Sequence, residues 1–399
     1  MKWEAQQQQA LKLVSKWLKT PKDKRQQVFR LFGWAGTGKT TLAKEIATYV
    51  KGSVLFAAYT GKAAARLKQK GCDPASTLHY LIYKPLIDEE TGKILGFTKN
   101  WESPLTTCQL LIVDEVSMVN AEMALDLLSF KCPVLVLGDT GQLPPIKGEG
   151  FFIQSEPDFL LTEIVRQARD NPIIELATLA REGQPIKPGS YGSSKVLASD
   201  RKISDSLLLT ASQILVGMNS TRKALNTRYR LLNGKGEEDP VYPVRGDRLI
   251  CLRNDRDLGL LNGTLWKCNS PKIKPVLKIE NYTEYMKGEQ PAKWKATKFK
   301  GLHLSLKSLD LFDSENKPLI VRDLQISCHL FDNSVEPPYR EIAATHQVDF
   351  GYAITVHKSQ GSEWESVLVV DESSVFRDNR ERHLYTAITR ASESLVLKL

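Results

Sequence analysis

The chain has 399 residues, 42% hydrophobic and 25% charged, with six cysteines and a formal net charge of +9. This is an ordinary globular balance with room for two or three domains, and the positive charge favours a polyanionic partner such as nucleic acid. The cysteines form no C-x-x-C pair and no histidine stands at zinc-ligand spacing, so the cysteines read as core thiols in a reducing compartment and not as disulfides or ligands of a metal. With no signal-peptide pattern and no apolar run of about 18 residues, a cytoplasmic protein without membrane contact is expected.

The glutamine tract from Gln6 to Gln9 runs directly into an amphipathic helix pattern of Ala10, Leu13, Val14, Trp17 and Leu18. Val28 to Phe32 is an apolar strand candidate, and it leads into Gly33-Trp34-Ala35-Gly36-Thr37-Gly38-Lys39-Thr40. This reads G-x-x-x-x-G-K-[ST], a loop whose backbone N–H groups can cradle nucleotide phosphates. Lys39 can reach the outer phosphates and the Thr40 hydroxyl can ligate Mg²⁺. Leu42, Ile46 and Val50 then recur at helical spacing, completing a strand–loop–helix context.

Val54 to Ala58 is a second strand candidate, followed by Thr60-Gly61-Lys62, a turn opening a helix where an open α/β sheet places ligand contacts. Spacing alone does not separate that role from a plain helix start with a solvated lysine. Between Tyr80 and Thr106 the apolar period lapses around a turn at Asp88 to Lys93, which reads as an inserted hairpin or a surface excursion. Leu110 to Val113 is a buried strand ending in Asp114-Glu115; beside a phosphate loop, Asp114 can hold Mg²⁺ while Glu115 polarises the attacking water. Val134 to Asp139 forms a further strand, and Gln142 in the turn after it is placed to touch both a γ-phosphate and its water.

Beyond residue 175 the α/β texture resumes, with strands at Ile214–Val216, Ala353–Val356, Val367–Val370 and Leu395–Leu397. It is interrupted from about Gly263 to Thr345 by a β-rich stretch in which lysines interleave with Tyr282, Tyr285, Trp294 and Phe299. Near the end, Leu384, Ala387, Ile388 and Ala391 define one helix face and leave Thr386 and Arg390 on the other, aimed away from their own core.

Taken together and in order, these segments resemble superfamily 1 DNA helicases, in the branch of RecD-like and phage Dda-like translocases, over most of the chain. Gln7 is similar to the family's adenine-reading glutamine. Thr60 to Ala64 resembles motif Ia and Ala75 to His79 the A-x-T-x-H element, which implies single-stranded DNA contacts for Thr60, Lys62, Thr77 and His79. Asp114-Glu115 and Gly138 to Pro145 look like motifs II and III, with Pro144 expected at the DNA. Thr162 to Gln167 resembles motif IV, whose arginine, Arg166 here, reaches the γ-phosphate in relatives. Ile354 to Glu363 resembles motif V, which implies DNA contacts for Thr355 and His357 and a ribose contact for Glu363; Tyr385 to Ala391 resembles motif VI with Arg390 as its arginine finger.

The resemblance implies an α/β architecture of two RecA-like parallel-sheet domains. The first covers 1–175 with a hairpin insertion at about 80–106 acting as a strand-separating pin that includes Phe97; the second covers 176–262 and 346–399, around an SH3-like insertion at 263–345. It implies an ATP-dependent 5′-to-3′ DNA helicase with catalytic Lys39, Glu115, Gln142, Arg166 and Arg390, nucleotide contacts from Gln7, Gly36, Thr37, Gly38, Thr40, Thr41 and Glu363, and Mg²⁺ on Thr40 and Asp114. A monomer acting on single-stranded and tailed duplex DNA, alongside replication or recombination proteins, is expected. The rival reading is a nucleotide-switched nucleic-acid-binding subunit that does not itself unwind, and RNA as the track stays open.

Overall fold

The computed structural model describes residues 3–87, 94–144, 150–165, 170–255, 258–278, 298–312, 317–331 and 345–399. It divides into two compact units, Met1–Asn219 with Thr355–Leu399, and Ser220–Ile354.

The first unit begins with helix α1 (Ala5–Lys19), whose Gln7 side chain accepts from the Glu4 backbone N–H at 3.1 Å and whose Ala10, Leu11, Val14 and Trp17 are buried. Strands β1 (Val28–Gly33), β2 (Val54–Ala58), β3 (Ala75–Thr77), β4 (Tyr83–Ile87), β5 (Ile94–Lys99), β6 (Leu110–Asp114), β7 (Val134–Gly138) and β8 (Phe159–Leu161) follow. Helices α2 (Lys39–Thr48), α3 (Gly61–Gln69), α4 (Leu78–Ile82) and α5 (Ala121–Leu128) connect them. Six of the strands make one parallel sheet in the order β3-β2-β6-β7-β1-β8. Near-continuous burial along β1, β6 and β7 is what a sheet covered on both faces requires.

The two faces pack separately: Leu31, Leu42, Ile46, Ile112 and Leu135 lie in one core, and Phe32, Leu78, Leu111, Val134 and Phe152 in the other. Each such side chain contributes about 1.5–3 kcal/mol by leaving water. Strands β4 and β5 stand apart as an antiparallel hairpin with Pro85 opposite Phe97. The turn expected at Asp88 to Lys93 lies outside the described residues.

The same unit continues through α6 (Pro172–Arg181) and strands β9 (Gly189–Tyr191), β10 (Ser194–Leu197) and β11 (Gln213–Val216). The second unit contains β12 (Arg248–Cys251), β13 (Leu265–Lys278), β14 (Lys298–Phe312), β15 (Pro318–Ser327) and β16 (Val348–Phe350). They form an antiparallel sheet in the order β15-β14-β13-β12-β16. This unit is wider than the stretch expected from texture, because β12 on one flank and β16 on the other pair into the sheet. Arg230, Asp247 and Tyr352 form a buried polar network beneath it, the guanidinium and the phenol both donating to the Asp247 carboxylate. Tyr282, Tyr285 and Trp294 lie outside the described residues.

After Ala353–Thr355 (β17) the chain completes the first unit with β18 (Trp364–Val370), the helix Arg380–Ile388 and β19 (Ala391–Lys398). Here β11, β18, β19 and β10 run parallel in that order, with β9 antiparallel at the edge. The first unit therefore carries two sheets, each with strand carbonyl ends feeding loops. All six cysteines are buried free thiols, and among the described residues no cluster of three or more His, Cys, Asp and Glu side chains is arranged to hold a metal ion. No described helix is long and apolar enough to cross a membrane.

Leu135 is fully buried in β7, which pairs on both sides. Leu135→Ala is expected to destabilise the chain by about 3 kcal/mol in urea denaturation, and a loss under about 1 kcal/mol would contradict a close-packed position.

Candidate nucleotide site and nucleic-acid face

The phosphate loop joins β1 to α2. Gly36 and Gly38 have φ of 78° and 80°, in the left-handed region that glycine enters without steric cost. A Cβ at Gly38 would also stand 2.7 Å from Gln7 Nε2. That amide donates to the Thr37 carbonyl at 3.0 Å, so α1 braces the loop from behind. The buried Thr37 hydroxyl donates to the Trp34 carbonyl at 2.8 Å. The first turn of α2 has no side-chain cap, leaving its N–H groups directed at the loop, the arrangement that receives phosphate oxygens.

Lys39 Nζ donates to the carbonyls of Gly33 and Trp34 at 2.6 and 3.0 Å. Thr40 Oγ1 donates to Asp114 Oδ2 at 3.3 Å, so the hydroxyl and carboxylate proposed to share a cation already meet. Strand β7 lies between β1 and β6, which sets Asp139 between the loop and the Asp114-Glu115 pair. Burial, with the neighbouring Glu115 charge, raises the Asp114 carboxyl, and Lys39 opposes that shift. Burial likewise raises Asp139, opposed by Lys39 and by the hydrogen bond from Tyr385. Glu115 holds a left-handed φ of 54°, a conformation costing a non-glycine residue about 1–2 kcal/mol. Its placement at the mouth of the site fits strain held where chemistry is done.

Residues after Thr355 reach the same place. The Tyr385 hydroxyl accepts from Ala35 N–H of the phosphate loop at 2.8 Å and donates to Asp139 Oδ2 at 2.6 Å. Thr386 Oγ1 accepts from Leu143 N–H at 2.9 Å, and Gln360 Nε2 donates to the Leu143 carbonyl at 2.8 Å. Arg390 Nη1 lies 3.8 Å from Glu115 Oε1, while its guanidinium also donates to the Ser362 and Thr386 carbonyls at 3.1 Å. Arg390 is 3% exposed and stands beyond the helix Arg380–Ile388, so it is a buried cation beside Glu115 rather than one on an open helix face. Tyr385 and Thr386 are as buried as Ala387, because the face aimed away from the helix's own core packs on the first sheet's loops.

Lys39, Thr40, Asp114, Glu115, Asp139 and Arg390 line a cavity of about 360 Å³ that also takes in Thr41, Gln142 and Glu363. Gln142 is buried and its Oε1 has no hydrogen-bond partner. An orphaned amide oxygen, an uncapped helix start, a lysine and a Thr–Asp pair together fit a nucleoside polyphosphate with a divalent cation. Sequence reading missed the pairing of Glu363 with Arg66 of α3, and the stacking of Arg181 Cζ 3.4 Å from the Trp34 ring centroid. Burial and the Arg390 charge lower the Arg66 guanidinium. No local motif marks either contact, since both join segments distant in the chain. Arg166 lies outside the described residues, but Val165 N–H donates to the Gly36 carbonyl at 3.0 Å, and Gln6 Oε1 accepts from Thr162 and Glu163 N–H at 2.8 Å.

The residues expected at nucleic acid repeat one construction. Thr60, Thr77 and Thr355 each stand in extended backbone at a strand end and open a helix. The Thr60 and Thr77 hydroxyls accept from Ala63 and Tyr80 N–H, while Thr355 makes no such bond. Lys62 Nζ sits 4.6 Å from the Trp364 ring centroid. His79 packs edge-on to Phe97 at 4.6 Å, and Phe97 is 53% exposed on β5, so the hairpin is seated on the Thr77 segment. Pro144 is half-buried next to the pinned Leu143. His357 lies 5.5 Å from the Phe376 ring, which stacks on His383 at 4.0 Å.

A family model described as an AAA domain matches residues 5–196, and one described as a UvrD-like helicase C-terminal domain matches 350–397. The ATP-dependent RecD2 DNA helicase of Deinococcus radiodurans is 30% identical, covering 91% of this chain and 46% of that protein. This chain thus spans about half the length of that relative. The RecBCD enzyme subunit RecD of Buchnera aphidicola is 24% identical, covering 91% of this chain and 69% of its own. Among solved structures, the Bacteroides Pif1 helicase in complex with ADP-AlF3 and ssDNA matches with a TM-score of 0.53 at 18% identity, over 100% of this chain and 92% of that one, and shares the fold.

Burial holds the His383 imidazole down to about 3, and the neighbouring His357 pushes the same way. The unfolded chain protonates this ring near 6.5, so the stability of the neutral buried ring is present above that pH and is lost as pH falls from 6.5 towards 3. His383→Phe should reduce the stability lost between pH 7 and pH 5 by about 1–2 kcal/mol in urea denaturation. Identical pH dependence in both proteins would contradict a buried neutral imidazole.

Proposed function

We propose that the chain acts as a RecD-like superfamily 1 helicase, hydrolysing ATP to move 5′ to 3′ along single-stranded DNA and to open duplex; the RecD2 relative and the two family models support this reading. One observation carries this reading. Arg390 and Tyr385, from the segment that packs on the second sheet, converge on Glu115 and on the phosphate loop of the first. A site built from two sheets is completed or opened by their relative movement, which is what a motor needs and a rigid nucleotide-binding domain does not.

Bound ATP is held by the backbone of Gly36 to Lys39, with the Lys39 ammonium moving from the loop carbonyls to the outer phosphates. Gln7 supports the loop and Thr41 and Glu363 border the nucleoside. Mg²⁺, when bound on Thr40 and Asp114, supplies charge neutralisation at the phosphates. Glu115 orients and deprotonates the attacking water, and the free Gln142 carbonyl receives a hydrogen bond from it. Arg390 leaves Glu115 for the γ-phosphoryl oxygens, where a positioned arginine is worth roughly 10³–10⁵ in rate. Arg166 adds a second cation.

Thr60, Thr77 and His79 grip the strand on one sheet's loops and Thr355 and His357 on the other's, so each cycle changes the spacing between grips. Lys62 and Pro144 border that track. Phe97 on the hairpin separates the strands.

Lys39→Ala should abolish DNA-stimulated ATPase while single-strand binding stays measurable; retained ATPase would remove the site assignment. Arg390→Ala should lower turnover by about 10³-fold with far less effect on nucleotide affinity, and a loss of affinity alone would count against a finger. Comparing 5′-tailed, 3′-tailed and RNA-tailed duplexes tests the track. Unwinding confined to the 5′ DNA tail is expected, and ATPase without unwinding of any of them would favour a nucleotide-switched binding subunit.

A further inference from the structure

The edge of the first sheet away from the nucleotide site has its own cleft. The residues preceding β1, β6 and β7 and those following α1, α2 and α5 enclose a cavity of about 640 Å³. Among the described residues its lining includes five cations, Lys19, Lys22, Arg25, Lys51 and Lys131, and no carboxylate. Phe130, Val50 and Pro133 supply an apolar floor between them.

Two ordinary explanations fall short. Cations suit helix carboxyl ends, but the three ends here carry together about one and a half negative charges, well below five positive ones. A lysine-studded surface also needs no particular backbone, yet Lys131 sits at φ 57° just beyond α5, where glycine is favoured and a side chain costs about 1–2 kcal/mol. A cation is kept at this rim against a backbone preference.

We propose that this cleft docks an acidic peptide segment carrying an apolar side chain, the apolar group on Phe130 and Val50 and the carboxylates on the lysine rim. Nucleic acid fits less well. The cavity falls within the range of about 300–1,000 Å³ that encloses a drug-sized ligand, which admits a few residues of peptide and not a duplex. A single strand would need several exposed aromatic platforms in series, whereas of the two aromatic side chains in the lining Phe130 is 7% exposed, which leaves Tyr49 alone. An acidic partner held here would leave the strand-end loops of the motor open.

The test is fluorescence anisotropy of a labelled Asp-rich peptide bearing a single Phe, titrated with the full chain at low salt. Binding is expected to weaken at least about tenfold in the combined variant Lys22→Glu, Lys51→Glu, Lys131→Glu, and about fivefold when the peptide's Phe is replaced by Ala. DNA-stimulated ATPase and single-strand affinity should be unchanged in the same variant, which also reports that it folds. If the combined variant does not fold, Lys131→Gly, which relieves the backbone, and Lys51→Glu should each weaken the peptide about threefold. No binding by the unaltered chain at about 1 mM peptide, or binding indifferent to these substitutions, overturns the proposal. Single-strand DNA affinity falling in step with peptide affinity also overturns it and assigns the cleft to nucleic acid.

Discussion

The Tyr385 hydroxyl is the contact on which the rest of the first unit depends. It accepts from a phosphate-loop N–H and donates to the buried Asp139 carboxylate, so a residue packed on the second sheet is bonded to both walls of the nucleotide site. Asp139 could not stay buried beside Asp114 and Glu115 without such donors, because an uncompensated carboxylate in that setting is strongly penalised. The phenol in turn is pushed far up by burial and by the Asp139 charge, which keeps it a donor. Thr386 and Gln360 extend the link to Leu143, so the turn holding Gln142 answers to the same helix.

That arrangement gives a physical route from phosphate to strand. Gln142 sits between the site and the Leu143 anchor, and Gly361 approaches Thr60 so closely that a Cβ there would lie 3.0 Å from the threonine hydroxyl. The loops proposed to grip nucleic acid from the two sheets are therefore adjacent, and a shift of the second sheet moves Thr355 relative to Thr60 and Thr77. A threonine at each of these strand ends places a hydroxyl at the start of a helix, a group suited to a phosphate backbone and indifferent to base sequence.

Much of this was legible in the sequence. The phosphate loop, the acidic strand end and the buried strands announce themselves locally, because glycine, lysine and four-residue apolar runs have few other uses in that order. Local pattern stops where burial comes from another element. The segment from Tyr385 to Arg390 reads as a helix whose polar face is aimed away from its own core, and what that face meets lies some 250 positions earlier in the chain, as the Tyr385–Asp139 bond shows. The pairing of Arg66 with Glu363 and the stacking of Arg181 on Trp34 were invisible for the same reason. The antiparallel sheet crossing the β-rich stretch also takes in β12 and β16, which look like any short apolar strand until their antiparallel partners are known.

The central claim is that the second sheet acts on ATP through the Tyr385–Asp139 bond. A double-mutant cycle on DNA-stimulated turnover, using Tyr385→Phe, Asp139→Asn and the pair, tests it most directly. The double variant is expected to be no slower than the worse single one, a coupling of about 1 kcal/mol or more. Single effects that simply add would contradict it, and the two residues would then serve the site independently.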